Sequence, residues 1–413
     1  MDKALKYKIV CWCVAIFLLI FLPQSISTAS QVQITSIVSG LGVDKSEKGL
    51  EVSAQIIIPE PSTSYSPKTV VASAEGKNLV EAISNIELKV GQTLGLAHCY
   101  VIILGDDLFS ENVPDELDYL MRSNIMGNNS ALVHTSGKAK ELLKISSQLS
   151  ESDVNNLQNI AKFNKENYSS SNTSLIDLFN DYLSPAGCSL VGTIDTEDSS
   201  SQSNESSSGG ENSGQPEGEG QSETSGATST NSKAVLKNDG SAIVVKHGKK
   251  LLNLTKEQII KFNWLDPSTQ KGIVEIENYS DENLKNATLS IKKISKKIKF
   301  IPKIINNAPI LDVHINLESR IESIKDEQGK IYTSHKNFYN ASLMNAISDK
   351  IKIEISEALQ IAKQNNFDIW NLYNIFNTHN SQKWKKYLSS LENSDNYMQN
   401  LEISVDVKIE NKE

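Results

Sequence analysis

The sequence predicts two folded bodies, an α/β unit followed by an α+β unit, each of mixed sheets with packed helices and joined by a long Ser/Gly/Glu-rich linker. Three observations carry that reading. From Asp195 to Ser232 the chain is almost entirely Ser, Gly, Glu, Asn, Gln and Thr, with Pro216 its one proline and Ala227 nearly its sole apolar side chain. Ordering such a segment costs roughly 1–2 kcal/mol of backbone entropy per residue, and it has too little apolar surface to offset that cost. Before this stretch, strand-like runs alternate with helical ones, the pattern of an α/β layer architecture. After it, a long amphipathic stripe and a closing alternating strand indicate a helix packed on a twisted sheet. The expected division is residues 1–29 as a targeting segment, 30–194 as the first body, 195–232 as a disordered linker and 233–413 as the second body.

The targeting segment is read from its layout. Lys3, Lys6 and Lys8 precede an apolar run from Ile9 to Leu22, which Pro23 and a Ser/Thr/Ala stretch terminate. The run falls short of the ~20 residues of a comfortable membrane span. Ser27 and Ala29 fit cleavage after Ala29; the alternative is an uncleaved signal anchor. Either way the rest of the chain is expected to be exported.

In the first body, Val32, Ile34, Ile37 and Val38 lead through Gly40-Leu41-Gly42-Val43-Asp44 to a charged turn at Lys45–Gly49. Gly40 and Gly42 read as a tight turn. Leu50, Val52, Ala54, Ile56 and Ile58 then alternate, which completes a hairpin signal. Leu79, Ala82, Ile83 and Ile86 mark one face of a helix. Val101–Leu104 is apolar on both faces, as a central strand would be. Further helices follow at Leu117–Met121 and Ala139–Ile145, a strand at Ala131–Val133, and a helix over Leu175–Leu183 that stops before Pro185.

The second body opens with Ala242–Val245, a turn at His247-Gly248, and Leu251-Leu252. Thr255 caps a helix with Gln258 three residues on. Leu311, Val313, Ile315 and Leu317 alternate with polar residues, so His314 points to the polar face. Leu343, Ile347, Ile351, Ile355, Leu359 and Ala362 form the stripe of the long helix, which ends near Asn365-Asn366. Leu401, Ile403, Val405, Val407 and Ile409 close the chain as a half-buried strand.

Composition narrows the function classes. The chain of 413 residues carries a formal net charge of -9, which argues against a nucleic-acid partner because phosphate neutralisation needs a basic surface. Lys292, Lys293, Lys296, Lys297, Lys299 and Lys303 cluster, and the expectation is a solvated face, with anionic lipid headgroups or envelope polymer as the alternative. Cys11 and Cys13 lie in the apolar run; Cys99 and Cys188 either pair as a disulfide or remain buried free thiols. His98 adjoins Cys99 without the second pair that a zinc template needs. His134, His247, His335 and His379 stand alone among polar neighbours and read as surface residues. Ser136-Gly137-Lys138 lacks the earlier glycine of a phosphate loop. No catalytic, cofactor-binding, metal or lipidation residue therefore emerges, and the chain is not expected to be an enzyme. Trp264, Trp370 and Trp384 lie in the second body; Trp370 and Trp384 are read as core anchors, with an aromatic platform for a sugar or peptide as the alternative.

In their order along the chain, several segments resemble the Ger(x)C family of spore germination proteins. They are Val38-Ser39-Gly40-Leu41-Gly42-Val43-Asp44-Lys45, Leu96-Ala97-His98 running into Val101–Gly105, Leu117-Asp118-Tyr119-Leu120-Met121-Arg122 and Gly137–Leu143. The long helix running into Phe367-Asp368-Ile369-Trp370, then Trp384 and the closing strand, continue the likeness. The resemblance implies a C subunit of a nutrient germinant receptor, on the outer face of the spore inner membrane beside two membrane-embedded subunits, in a family not known for enzymes. Family members usually carry a lipobox Cys followed by Trp after the signal peptide, whereas Ala29-Ser30-Gln31-Val32 stands there in this chain. A signal anchor, or retention by the partner subunits, would replace lipid anchoring. The alternative function is a free extracytoplasmic module that binds envelope polymer or a small solute.

Overall fold

A computed structural model describes residues 35–58, 68–148, 171–198, 234–332 and 338–412, except 124, 128, 172 and 270, with scattered helical positions at 12–17 and 157–160. Strands β1 (Thr35–Ser46), β2 (Gly49–Ile58) and β3 (Lys68–Gly76) form an antiparallel meander, and helix α1 (Leu79–Val90) follows. Its buried residues are Leu79, Ala82, Ile83 and Ile86, the face expected from the spacing. Strands β4 (Thr93–Gly95) and β5 (Val101–Gly105) both run parallel to β1. Helix α2 (Val113–Arg122) leads to β6 (Ala131–Thr135), which is parallel to β5, and helix α3 (Ala139–Gln148) follows. The short β7 (Thr173–Ser174) completes the seven-stranded sheet, and α4 (Leu175–Leu183) starts from it with Ser174 and Asp177 in a capping box.

Both faces of this sheet are covered. Ile102 and Leu104 of β5 join the core beneath α1, α2 and α4, while Val101 and Ile103 pack with Leu142 and Leu143 of α3. Gly40 and Gly42, expected at a turn, lie inside β1 instead. The close approach of α3 explains them. A Cβ on Gly42 would sit 3.0 Å from Leu143 and 3.2 Å from Ala139.

The two bodies share backbone. Strands β8 (Cys188–Gly192) and β9 (Asp195–Asp198) precede the linker; β10 (Ala234–Lys237), β11 (Ala242–Lys246) and β12 (Lys249–Leu254) follow it. Yet β8 pairs with β11 in the sheet β12-β11-β8, and β9 pairs with β10. Asp195–Asp198, read as the start of the linker, is thus strand; its polar sequence hides a pairing whose partner lies far along the chain. The three-stranded sheet has two apolar faces. Val191, Ile243 and Val245 enter the first core, and Cys188, Ala242 and Val244 enter the second.

In the second body, helix α5 (Lys256–Phe262), capped by Thr255 and Gln258, precedes β13 (Gly272–Tyr279), β14 (Ala287–Ile305) and β15 (Ala308–Lys325). After helices α6 (Ala341–Gln364), α7 (Leu372–His379) and α8 (Ser381–Leu388), strand β16 (Glu402–Asn411) returns parallel to β15. The sheet order is β13-β14-β15-β16. The α6 stripe from Leu343 to Ala362 is buried as its spacing requires.

Candidate functional site

Parallel α/β sheets place their chemistry at the carboxyl ends of the strands. At that end of β1, β5 and β6 the segments carrying the family resemblance converge. Asp44 accepts the backbone N–H of Ala139 at 2.8 Å and of Lys140 at 3.0 Å, which caps α3. Burial raises the Asp44 carboxyl, and the two N–H donors oppose that rise. Gly105 is forced by the same contact, since a Cβ there would lie 2.2 Å from Asp44 Oδ1. Lys138 Nζ donates to Asp107 at 3.1 Å and to the Lys45 carbonyl at 3.3 Å.

His134 is central to this end. Read from sequence as a surface residue, it is 1 % exposed, because β6 is a covered inner strand. Its Nε2 lies 2.8 Å from Asp106 Oδ1 and its Nδ1 3.0 Å from Thr193 Oγ1. Burial lowers its pKa, with Asp106 opposing. The imidazole is therefore neutral at pH 7; Nε2–H donates to the carboxylate and Nδ1 accepts the threonine hydroxyl. Asp106 also binds Lys250 of β12. Burial tends to raise Asp106, but the bonds from Lys250 and His134 outweigh it and its pKa is lowered.

Ser136 belongs to a separate knot. Its N–H and hydroxyl reach Asp195 at 2.7 and 3.0 Å, and the Thr135 hydroxyl joins at 3.1 Å. With both ring nitrogens of His134 engaged and Ser136 donating to a carboxylate, the pair does not form a nucleophile and base. What the arrangement does is fasten β9 and β12 to the first sheet. Sequence reading missed Asp106, Thr193, Asp195 and Lys250 as partners, because each comes from a different element.

The seam between the bodies is equally closed. The His247-Gly248 turn enters the first body, where Val113 N–H donates to the Gly248 carbonyl at 3.0 Å and His247 N–H to that of Gly187 at 2.7 Å. Lys246 Nζ reaches the Asn366 carbonyl at 2.5 Å. Asp368 is buried beside this seam. It accepts the Tyr397 hydroxyl at 2.7 Å and the Tyr373 N–H at 3.0 Å, capping α7. Burial raises its pKa, and the hydrogen bonds it receives oppose that. Cys188 and Cys99 are free thiols, both buried; burial pushes them up to about 11 and about 12.

The lysine cluster is not one face. Residue 294 is an extra residue against β15, with Lys293 opposite Ser319 and Ser295 opposite Glu318. This bulge shifts the alternation by one, so both Lys293 and Lys296 point inward, at 1 % and 2 % exposure. Lys292, Lys297, Lys299 and Lys303 are on the more open side, where Lys303 pairs with Asp312 and His314 with Asp406 at 3.3 Å. Lys296 Nζ donates to the carbonyls of Asn263, Trp264 and Asp266 and to Thr269 Oγ1, at 2.5 to 3.2 Å. Lys293 Nζ donates to the Thr269 carbonyl at 2.8 Å. Burial brings Lys296 down to about 7, and burial with the adjacent Lys296 charge brings Lys293 down to about 6.

The tryptophans of the second body are built into its packing. Trp264 and Trp384 are buried; Trp384 stacks on Phe376 at 5.0 Å, and the Trp264 indole donates to Glu354 at 2.5 Å. Trp370 is partly buried, stacks on Phe262 and donates to its carbonyl at 3.1 Å. Open clefts of about 810 Å³ along β3 and α1, and about 670 Å³ between α5, β13 and α6, have mixed-charge walls. Among the described residues no cluster of His, Cys, Asp and Glu suits a metal ion, and no helix is long and apolar enough to cross a membrane.

Comparison with known proteins bears on both bodies. A family model described as the spore germination protein N-terminal domain matches residues 29–196, and one described as spore germination B3/GerAC like, C-terminal, matches residues 239–412. The chain is 22 % identical over 359 residues to spore germination protein KC of Bacillus subtilis (strain 168), covering 81 % of this chain and 78 % of that protein. The crystal structure of the GerBC protein is similar in fold, with a TM-score of 0.50 at 14 % identity over 91 % of this chain and 97 % of that one.

Proposed function

The chain belongs to the Ger(x)C family of spore germination proteins, and on that premise we propose that it is a non-catalytic, exported subunit of a germinant-receptor-like membrane complex. Its place is the outer face of the spore inner membrane, beside membrane-embedded receptor subunits. The observation that carries the reading is that both family domains occur in this one chain, in order. The clasps among Asp106, His134, Thr193 and Lys250 suit a placing role, since they join elements of the two bodies. Spores lacking the chain should lose nutrient-triggered germination, and His98→Ala, His314→Ala or Ser136→Ala chains should restore it. A folded, assembled variant of this kind that fails completely would contradict the non-catalytic role.

A second reading, a free module binding envelope polymer or a small solute, is favoured by the cleft of about 670 Å³ in the second body, lined by Lys256, Lys261, Ile273, Glu275 and Lys350. Saturable stabilisation of the purified chain by such a ligand would support it.

A further inference from the structure

The two ends of the first sheet differ in chemistry. At the end where β1 starts, β2 finishes and β3, β5 and β6 start, the exposed large apolar side chains are Ile37, Ile58, Val70, Tyr100 and Ile125. Ile37 lies opposite Ile57, and Tyr100 N–H bonds the Ser39 carbonyl, so these residues rim one end. Val80 and Leu183, also exposed, lie elsewhere. Basic residues near this rim include Lys68, which starts β3 opposite Ile58, Lys89, whose ammonium donates to the Ser73 carbonyl, and Arg122, paired with Asp118. The opposite end carries exposed Glu47, Lys48, Glu75, Lys77, Asp107 and Glu111.

The apolar end is also the one reached first along the chain from the N-terminal apolar run. That run ends at Leu22 and β1 starts at Thr35, so the intervening chain spans at most about 45 Å fully extended. The charged end lies a further ~40 Å along β1. We infer that this end of the first sheet sits in the headgroup layer of the membrane, with Ile37, Ile58, Tyr100 and Ile125 as its contact residues. Isoleucine supplies apolar area there, and tyrosine suits a boundary that is apolar on one side and wet on the other. The inference rests on the proposed membrane location with the apolar run retained as a signal anchor, and adds which surface faces the lipid.

The test uses the full chain with Cys11→Ser and Cys13→Ser, leaving the buried Cys99 and Cys188. Single cysteines introduced as Ile58→Cys, Tyr100→Cys or Ile125→Cys, and as Glu47→Cys or Lys77→Cys, carry a polarity-sensitive fluorophore. Each is reconstituted in phosphatidylglycerol/phosphatidylethanolamine vesicles containing a headgroup-proximal lipid quencher. The first three labels should be quenched severalfold more than the last two. Equal quenching at both ends, absence of quenching at the first three, or failure of the chain to sediment with vesicles overturns the inference. Protection at positions 58, 100 and 125 that requires partner subunits, without lipid quenching, assigns the surface to protein and overturns it too. The receptor reading fails separately, by absence of co-purifying membrane subunits, which leaves the vesicle result unchanged.

Discussion

Asp198 and Ala234, at the two ends of segment 199–233, face each other as antiparallel partners in β9 and β10. The segment therefore begins and ends at the same place in the fold. Its length cannot set the distance between the bodies, which β8 and β11 join directly.

Cleavage within 199–233 should accordingly leave two fragments that co-elute in native buffer and separate only in denaturant. Replacing most of the segment by a short turn should raise stability by about 2 kcal/mol, from the lower entropy of closing a shorter loop. Size-exclusion chromatography and urea unfolding check both outcomes. Fragments that separate without denaturant would contradict the shared sheet.

Ile351 is fully buried in the α6 stripe. Ile351→Asp should cost several kcal/mol by burying an unpaired carboxylate, and folding of the second body, then assembly, should fail. His314→Ala on the exposed face should change unfolding by less than about 0.5 kcal/mol. Circular dichroism during denaturation separates the two variants.

The buried amines give a pH dependence with a definite sign. Lys293 and Lys296 are lowered in the folded chain to about 6 and about 7, so between those values and the ordinary lysine range the unfolded chain binds more protons. Stability should rise with pH across that window, by on the order of a few kcal/mol. Lys293→Met should flatten the rise. A slope unchanged in that variant would show that Lys293 keeps its charge when folded.

His134→Ala should destabilise the chain by about 2–4 kcal/mol, because it opens a cavity and removes the partner of Thr193 and Asp106. The lowered pKa of His134 adds an acid effect. Below the usual histidine value the unfolded chain protonates first, so this contribution to stability is lost as pH falls towards the folded value. Thermal melts of the parent and variant at several pH values test this.

What sequence revealed and what it hid divide along one physical line. The faces of α1 and α6, the turn at His247-Gly248 and the cap at Thr255 follow from local periodicity and turn chemistry, and the structure has them where expected. Non-local features escaped. The strand Asp195–Asp198 is polar and gains strand form only from its partner, and Lys296 joins Lys293 on the inner face only because of a single-residue bulge. His134 looked solitary because Asp106, Thr193 and Lys250 reach it or its partner from other elements. Gly40, Gly42 and Asp44 were visible as a family pattern, but their purpose, seating and capping α3, requires the packed helix.

The most direct test of the receptor-subunit role is affinity purification of the tagged chain from detergent-solubilised spore membranes, followed by identification of what accompanies it. Polytopic membrane subunits should be recovered in stable, stoichiometric association, lost in Ile351→Asp and kept in Ser136→Ala. Recovery of the folded chain alone, from membranes that contain those subunits, would contradict it.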